Sequence, residues 1–177
     1  MIKERVEKAI IEQIRKEEHS SRIYLAMASW CESHGYPGAA KFMYEQANEE
    51  RMHMQKLMGY VNDRGGFAQL LPLDSPNHEF KSLLDLFEEV FKHEQFVTES
   101  INDLYDVTLQ EKDHTTGHFL RWYIEEQIEE ESTFSGILDQ MRLAGKTEGG
   151  FFHMDKELGA MAAAKIAQRI VTETTGA

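Results

Sequence analysis

The chain has 177 residues, 28% of them charged, and a formal net charge of −12 at neutral pH. That balance argues against nucleic-acid backbones and anionic membranes as partners, and it suits attraction of cations. Length and composition fit one folded helical domain over residues 1–177, and the lone Cys31 excludes an intrachain disulfide.

The N-terminus is charged from Lys3 onward, without an apolar signal core, and no apolar run reaches the ~18 residues of a membrane helix. A cytoplasmic protein is the expected class. The first predicted helix runs from about Ile2 to about His34. Its inward stripe reads Val6, Ile10, Ile14, Glu17, Ser21, Tyr24, Ala28 and Cys31 in steps of three and four. Gly35-Tyr36-Pro37-Gly38 closes it, with Pro37 placed to begin the next helix. The second helix, from about Pro37 to about Arg64, carries Phe42, Gln46, Glu50, His53, Leu57 and Tyr60, and Gly65-Gly66 stops it.

Residues 65–81 hold no helical period. Extended, they reach ~56 Å at about 3.3 Å per residue. The second helix is only ~42 Å long. The connection is therefore long enough to cross a whole bundle, and the chain is expected to use it that way. A third helix opens at Ser82, with Asp85 completing a Ser-x-x-Asp capping arrangement. Its stripe is the most regular: Leu83, Phe87, Val90, Glu94, Val97, Ile101, Leu104, Thr108. Asp113 is a plausible cap for the fourth helix, whose stripe is Phe119, Tyr123, Gln127, Glu130, Phe134, Ile137 and Met141. Gly145 ends it and Gly149-Gly150 adds a second break. A short fifth helix is expected over about 155–170, followed by a frayed polar tail. The fold class is all-α: a four-helix bundle over about 2–144 with a long crossover between helices two and three, plus the fifth helix.

Each core stripe is interrupted by polar residues near its middle: Glu17, then Glu50 with His53, then Glu94, then Gln127 with Glu130. Glu17 and His53 lie equally far from Gly35 on either side, and Glu94 and Glu130 lie equally far from Lys112. Each pair therefore sits ~27 Å from its own turn and meets across its hairpin. Glu50 and His53 form a Glu-x-x-His pair sharing one helical face. A second such pair, Glu111 and His114, falls at a turn without matched partners and reads as surface. Burying four carboxylates is costly unless they are protonated, paired or bound to cations. Two divalent cations would neutralise them. Oxygen-rich donors with one imidazole suit Fe(II) or Mn(II), with zinc as a competitor.

Glu17, Tyr24, Glu49-Glu50-x-x-His53, Glu94 and Glu126-Gln127-x-Glu129-Glu130, together with Trp30-Cys31, resemble the motif set of the ferritins, the bacterial non-haem type in particular. The match covers about residues 5–160. The resemblance implies two irons at a ferroxidase centre. Glu17 and His53 would hold the first, Glu50 would bridge, and Glu94 with Glu130 would hold the second. Gln127 would line the centre, and Tyr24 would hydrogen-bond nearby and supply an electron. Glu49, Glu126 and Glu129, with Glu130 shared, would form a third iron site facing inward; the plain alternative for those residues is a solvated acidic face. Gln127-x-x-Glu130 replaces the second Glu-x-x-His of the general di-iron pattern. Arg51 stands where bacterioferritin has its haem-binding Met, so no haem is expected. The chain also continues past about residue 165, further than the family pattern, so the resemblance does not carry over the detail of the four-fold pore that the fifth helix lines.

What the resemblance implies is iron storage: Fe(II) oxidised with dioxygen or hydrogen peroxide, then mineralised inside a homo-oligomeric cage of 24 copies. Two rivals stand beside it. A rubrerythrin-like di-iron peroxidase would keep its iron, but the Cys-x-x-Cys iron domain is missing. A non-metal helical binding bundle would turn its acidic residues to water.

Overall fold

The computed structural model describes residues 1–147 and 149–175, with side chains described through residue 171. Among the described residues five helices follow in order: α1 Glu4–Ser33, α2 Pro37–Asp63, α3 Leu83–Gln110, α4 His114–Ala144 and α5 Gly150–Thr175. The inward stripes are buried as their spacing requires, with two exceptions. Tyr60 and Phe119 are only half-buried, and they stack on each other at 3.9 Å between ring centroids.

The ends of the helices fix the topology. Ile2 N donates to Arg64 O at 3.0 Å, Arg5 donates to Gln110 at 2.7 Å, and Arg64 lies 3.9 Å from Asp113. The start of α1, the ends of α2 and α3 and the start of α4 thus share one end of the bundle. At the other end Phe80, just before α3, meets Trp30 edge-on at 5.8 Å. Helices α2 and α3 therefore run parallel, and residues 65–81 make the expected crossover.

Local chemistry sets the helix starts. Ser82 Oγ accepts from Asp85 N at 3.1 Å, while the Asp85 carboxylate turns to Lys81 N rather than back to Ser82. Asp113 accepts from both the backbone N–H and the hydroxyl of Thr116, at 3.1 and 2.8 Å. Helix α2 begins with Pro37 and has no cap bond from the Tyr36 side chain. Its cap comes from far along the chain: Asp155 Oδ1 accepts from Ala39 N at 2.8 Å, placing an anion at the positive end of α2.

The fifth helix corrects the expectation of a short element over 155–170. Gly149, at φ 74°, is the only one of the two glycines to break the chain, and α5 then runs from Gly150 to Thr175. The Ala-rich stretch from Ala160 propagates helix readily, and no proline or turn residue stops it before Thr175. The expected frayed tail is helical to that point; residues 176–177 lie outside the described residues.

Close approach of α5 to α2 depends on Gly38. A Cβ there would collide with the Asp155 carbonyl, and the neighbouring Gly159 faces the Gly38 Cα. Gly38→Ala is expected to push α5 off its seat and lose the Asp155 cap, costing about 1–2 kcal/mol. Thermal unfolding with limited proteolysis of α5 checks this. Unchanged melting and cleavage would show that the contact is not needed.

Two apolar clusters fill the bundle. One gathers Tyr24, Phe42, Phe87, Phe134 and Met141 toward the Gly35 end; the other gathers Val6, Ile14, Leu57, Ile101 and Leu120 toward the opposite end. Each large side chain contributes roughly 1.5–3 kcal/mol when fully buried. The interrupting polar residues occupy the layer between the clusters. The bundle therefore grips that layer from both sides.

Candidate metal centre

Glu17, Glu50, Glu94, Gln127, Glu130 and His53 are all buried, with exposures of 0–6%. Each is carried inward by its core stripe, between the two apolar clusters that seal the layer from either end. Among the described residues, one group of acids and imidazoles closes tightly enough to share an ion: Glu17, Glu50 and His53. His53 Nδ1 lies 3.8 Å from Glu17 Oε2 and 3.6 Å from Glu50 Oε2. Those distances allow charge attraction and exceed a hydrogen bond. Glu17 Oε2 and Glu50 Oε2 consequently have no hydrogen-bond partner although both are buried. Orphaned buried carboxylate oxygens are rare because desolvation goes uncompensated. Two of them beside one imidazole nitrogen are a ready-made donor set for a cation.

Other side chains hold the donors in place. Gln13, one turn before Glu17, donates to Glu17 Oε1 at 2.8 Å and accepts from Ser100 at 2.9 Å. Tyr123 OH donates to the His53 carbonyl at 2.7 Å, and the Trp122 ring meets the imidazole edge-on at 5.3 Å. Tyr24 OH donates to Glu94 Oε1, and Gln127 Nε2 donates to Glu94 Oε2 at 3.1 Å. Glu130 accepts from Gln46 Nε2 at 3.1 Å. Glu94 and Glu130 lie outside the tight group of three, each already satisfied by these donors. Glu49 is half-buried, Glu126 is half-buried and Glu129 is exposed; these three do not close into a tight group.

Crowding of acids shifts the protonation of the cluster. Burial pushes the Glu50 carboxyl well above the usual range, helped by the charges of Glu17 and Glu94. Burial and the charge of Glu130 raise Glu94 to about 7, against hydrogen bonds from Tyr24 and Gln127. Burial would also raise Glu17, but the His53 imidazole against it wins and holds it ionised. Burial alone would lower His53; its two carboxylate neighbours outweigh that and keep the ring protonated. Burial raises Tyr24 well above a free phenol, with Glu94 adding to it. Without a cation, the site is held together by protons.

Sequence reasoning had missed Gln13, Ser100 and Lys165. Gln13 was findable, since it sits four residues from Glu17 on the same face. Lys165, whose Nζ reaches Glu49 Oε2 at 2.6 Å, stands in an Ala-rich stretch with Arg169 and carries no local signal of its partners.

Known proteins place these features in context. Residues 7–144 match a family model described as a ferritin-like domain. The chain is 43% identical over 159 residues to a probable bacterial non-heme ferritin-like protein of Haemophilus influenzae, covering 90% of this chain and 96% of that one. It is 42% identical over 156 residues to a bacterial non-heme ferritin of Campylobacter jejuni, covering 88% and 93%. Among solved structures, an open pore ferritin from the hyperthermophilic archaeon Archaeoglobus fulgidus is similar at a TM-score of 0.88 and 39% identity, covering 90% of this chain and 98% of that one.

Proposed function

The chain belongs to the ferritin family, and from that premise we propose that it stores iron by oxidising Fe(II) in the mid-bundle cluster and mineralising the product in a cage. The observation that carries this reading is the pair of buried, unpartnered oxygens of Glu17 and Glu50 turned toward His53. Iron is the substrate. Glu17 and His53 hold the first Fe(II), Glu50 bridges, and Glu94 with Glu130 takes the second, Gln127 steadying Glu94. Oxygen donors with a single imidazole are the chemistry Fe(II) accepts.

Each Fe(II) gives up one electron. Two electrons and two protons reduce dioxygen to hydrogen peroxide, or hydrogen peroxide to two waters. The protons that iron displaces from Glu50, from His53 and in part from Glu94 cover the two that either reduction consumes. Glu17, Glu50, Glu94 and Glu130 supply up to four negative charges, which favours Fe(III) over Fe(II). Tyr24, hydrogen-bonded to Glu94, passes an electron to the oxidant in place of one from iron, giving its proton to that carboxylate, and a further Fe(II) restores the electron.

Fe(III) then moves past Glu49, Glu126 and Glu129, a third, more hydrated iron site, to the cavity. The shell is a homo-oligomer of 24 copies in the cytoplasm. Exposed Leu25, Phe67, Leu70, Phe96 and Ile128 support extensive subunit contacts. None of the described helices is long and apolar enough to cross a membrane.

Aerobic Fe(II) addition to the purified protein tests the proposal by absorbance and particle size. On the order of hundreds of irons retained per particle is the expected outcome for a mineral-filled shell. Two irons per chain without mineral would sink storage and favour a di-iron peroxidase instead.

A further inference from the structure

Among the described residues, Lys165 brings a cation to the carboxylate cluster from outside the four-helix bundle. Lys165 Nζ on α5 lies 2.7 Å from Gln46 Oε1, 2.6 Å from Glu49 Oε2 and 3.9 Å from Glu130 Oε1. Gln46 completes the arrangement by donating its Nε2 to the other Glu130 oxygen at 3.1 Å. Two carboxylates and one amide oxygen around a single positive charge are the hard oxygen donors a divalent cation also takes. One Glu130 oxygen accepts from the Gln46 amide, and the other faces the Lys165 ammonium at 3.9 Å, within reach of charge attraction and beyond a hydrogen bond.

The ammonium is held firmly. Arg169, one helical turn further along α5, pairs with Glu45 at 3.1 Å, so two ion pairs on one face seat α5 against α2. Burial works against the Lys165 charge, but Glu130 and Glu49 outweigh it and keep the group protonated. Its side chain is still 28% exposed, so water reaches it and the stem can swing away.

We propose that Lys165 is a displaceable counter-ion, closing the α5 side of the cluster when metal is absent and giving up its place between Glu49 and Glu130 to a divalent cation. This rests on the reading that the cluster takes Fe(II), and it adds how passage beyond the di-iron pair is controlled. Glu130, with one oxygen bonded by Gln46 of α2 and the other facing Lys165 of α5, cannot keep both partners and also hold an incoming iron at full strength. Loading the second iron weakens the hold on Lys165, and a third cation at Glu49 completes its release. A tethered ammonium cannot drift away, so it competes with the third cation at all times.

Anaerobic calorimetry with Zn(II), a divalent ion that does not change oxidation state, tests this on the assembled full-length protein. Lys165→Met keeps the apolar stem and removes the charge. It should bind a third Zn(II) per chain roughly tenfold or more tightly than the unaltered protein. Lys165→Arg should remain like the unaltered protein, and adding Glu49→Gln to Lys165→Met should cancel the gain. Equal third-ion affinity with and without the lysine charge, while two tighter ions bind in both, overturns the counter-ion role alone. Absence of the two tighter ions from every variant overturns the di-iron reading as well. A second measurement needs no variant: saturating Zn(II) should raise acetylation of the Lys165 amine by an amine-reactive ester, read by peptide mass spectrometry. Labelling that stays level or falls overturns the proposal even if Lys165→Met fails to assemble.

Discussion

Glu50→Gln leaves an assembled, folded shell that has lost fast Fe(II) oxidation, its initial rate down by roughly a hundredfold or more. Burial, with the charges of Glu17 and Glu94, holds the Glu50 carboxyl neutral when the site is empty. A neutral amide of the same shape therefore resembles the side chain already present. The stability of the metal-free chain should change by no more than about 1 kcal/mol. Metal binding is where the two side chains part. A carboxylate can bridge two cations with an oxygen on each and a full negative charge, and an amide cannot. Glu50 Oε2 is one of the two buried oxygens left without a partner, so nothing else in the layer can take over. Glu125→Gln, on the exposed face of α4, serves as the control and should oxidise iron normally. The measurement pairs stopped-flow absorbance after Fe(II) addition with unfolding of the metal-free proteins. Oxidation within about twofold of the unaltered rate would remove Glu50 from the bridging position.

Much of this layer could be read from periodicity alone. Glu17 and His53 meet because a hairpin equates residues equally distant from its turn, and their approach to 3.8 Å follows from that register. Across the second hairpin equal spacing predicts Glu94 opposite Glu130, whereas the bond to Glu94 comes from Gln127, one turn nearer Lys112. The crossover was legible from length, since residues 65–81 could span the bundle and served no other evident purpose. What periodicity could not deliver was α5. Its Ala-rich surface presents no strong apolar stripe, so the sequence offered neither its true length nor its seat on α2. Lys165 and its partners are 116 and 119 residues apart along the chain, and no local rule links such positions. Asp155 capping α2 from 116 residues away was hidden for the same reason. The half-buried Tyr60 and Phe119 show another limit: a stripe continues to the helix end, whereas burial fades there. The functional layer was visible because it violates a local rule. The fifth helix obeys none strongly enough to be placed.

Metal binding to the cluster releases protons, and its affinity rises with pH between about 6.5 and 8. In the empty protein the protons sit on Glu50, on His53 and in part on Glu94, whose carboxyl titrates near 7. All three must be given up before the oxygens and Nδ1 can coordinate, because a ligand atom cannot hold a proton and a metal together. Zn(II) calorimetry at pH 7 in two buffers of different ionisation enthalpy should therefore report on the order of one to three protons released per chain at saturation. The same groups set the stability of the metal-free chain. His53 and Glu50 titrate above their unfolded values, so the folded state binds more protons than the unfolded one in this window, and stability falls as pH rises. Below about 6.5 the trend is blurred, because burial lowers His93 to about 4 and makes its contribution rise with pH up to the unfolded value. The unfolded His93 is half protonated at about 6.5, so its opposing contribution fades only by about pH 7.5, and the fall from there to pH 8 belongs to Glu50, His53 and Glu94. Metal-free protein in chelator should then unfold at lower temperature at pH 8 than at pH 6.5, and saturating Zn(II) should remove or reverse that difference. Zero proton release at pH 7, or a metal-free chain that grows more stable across the window, would mean that the layer is not held by protons and that its carboxylates are neutralised in some other way.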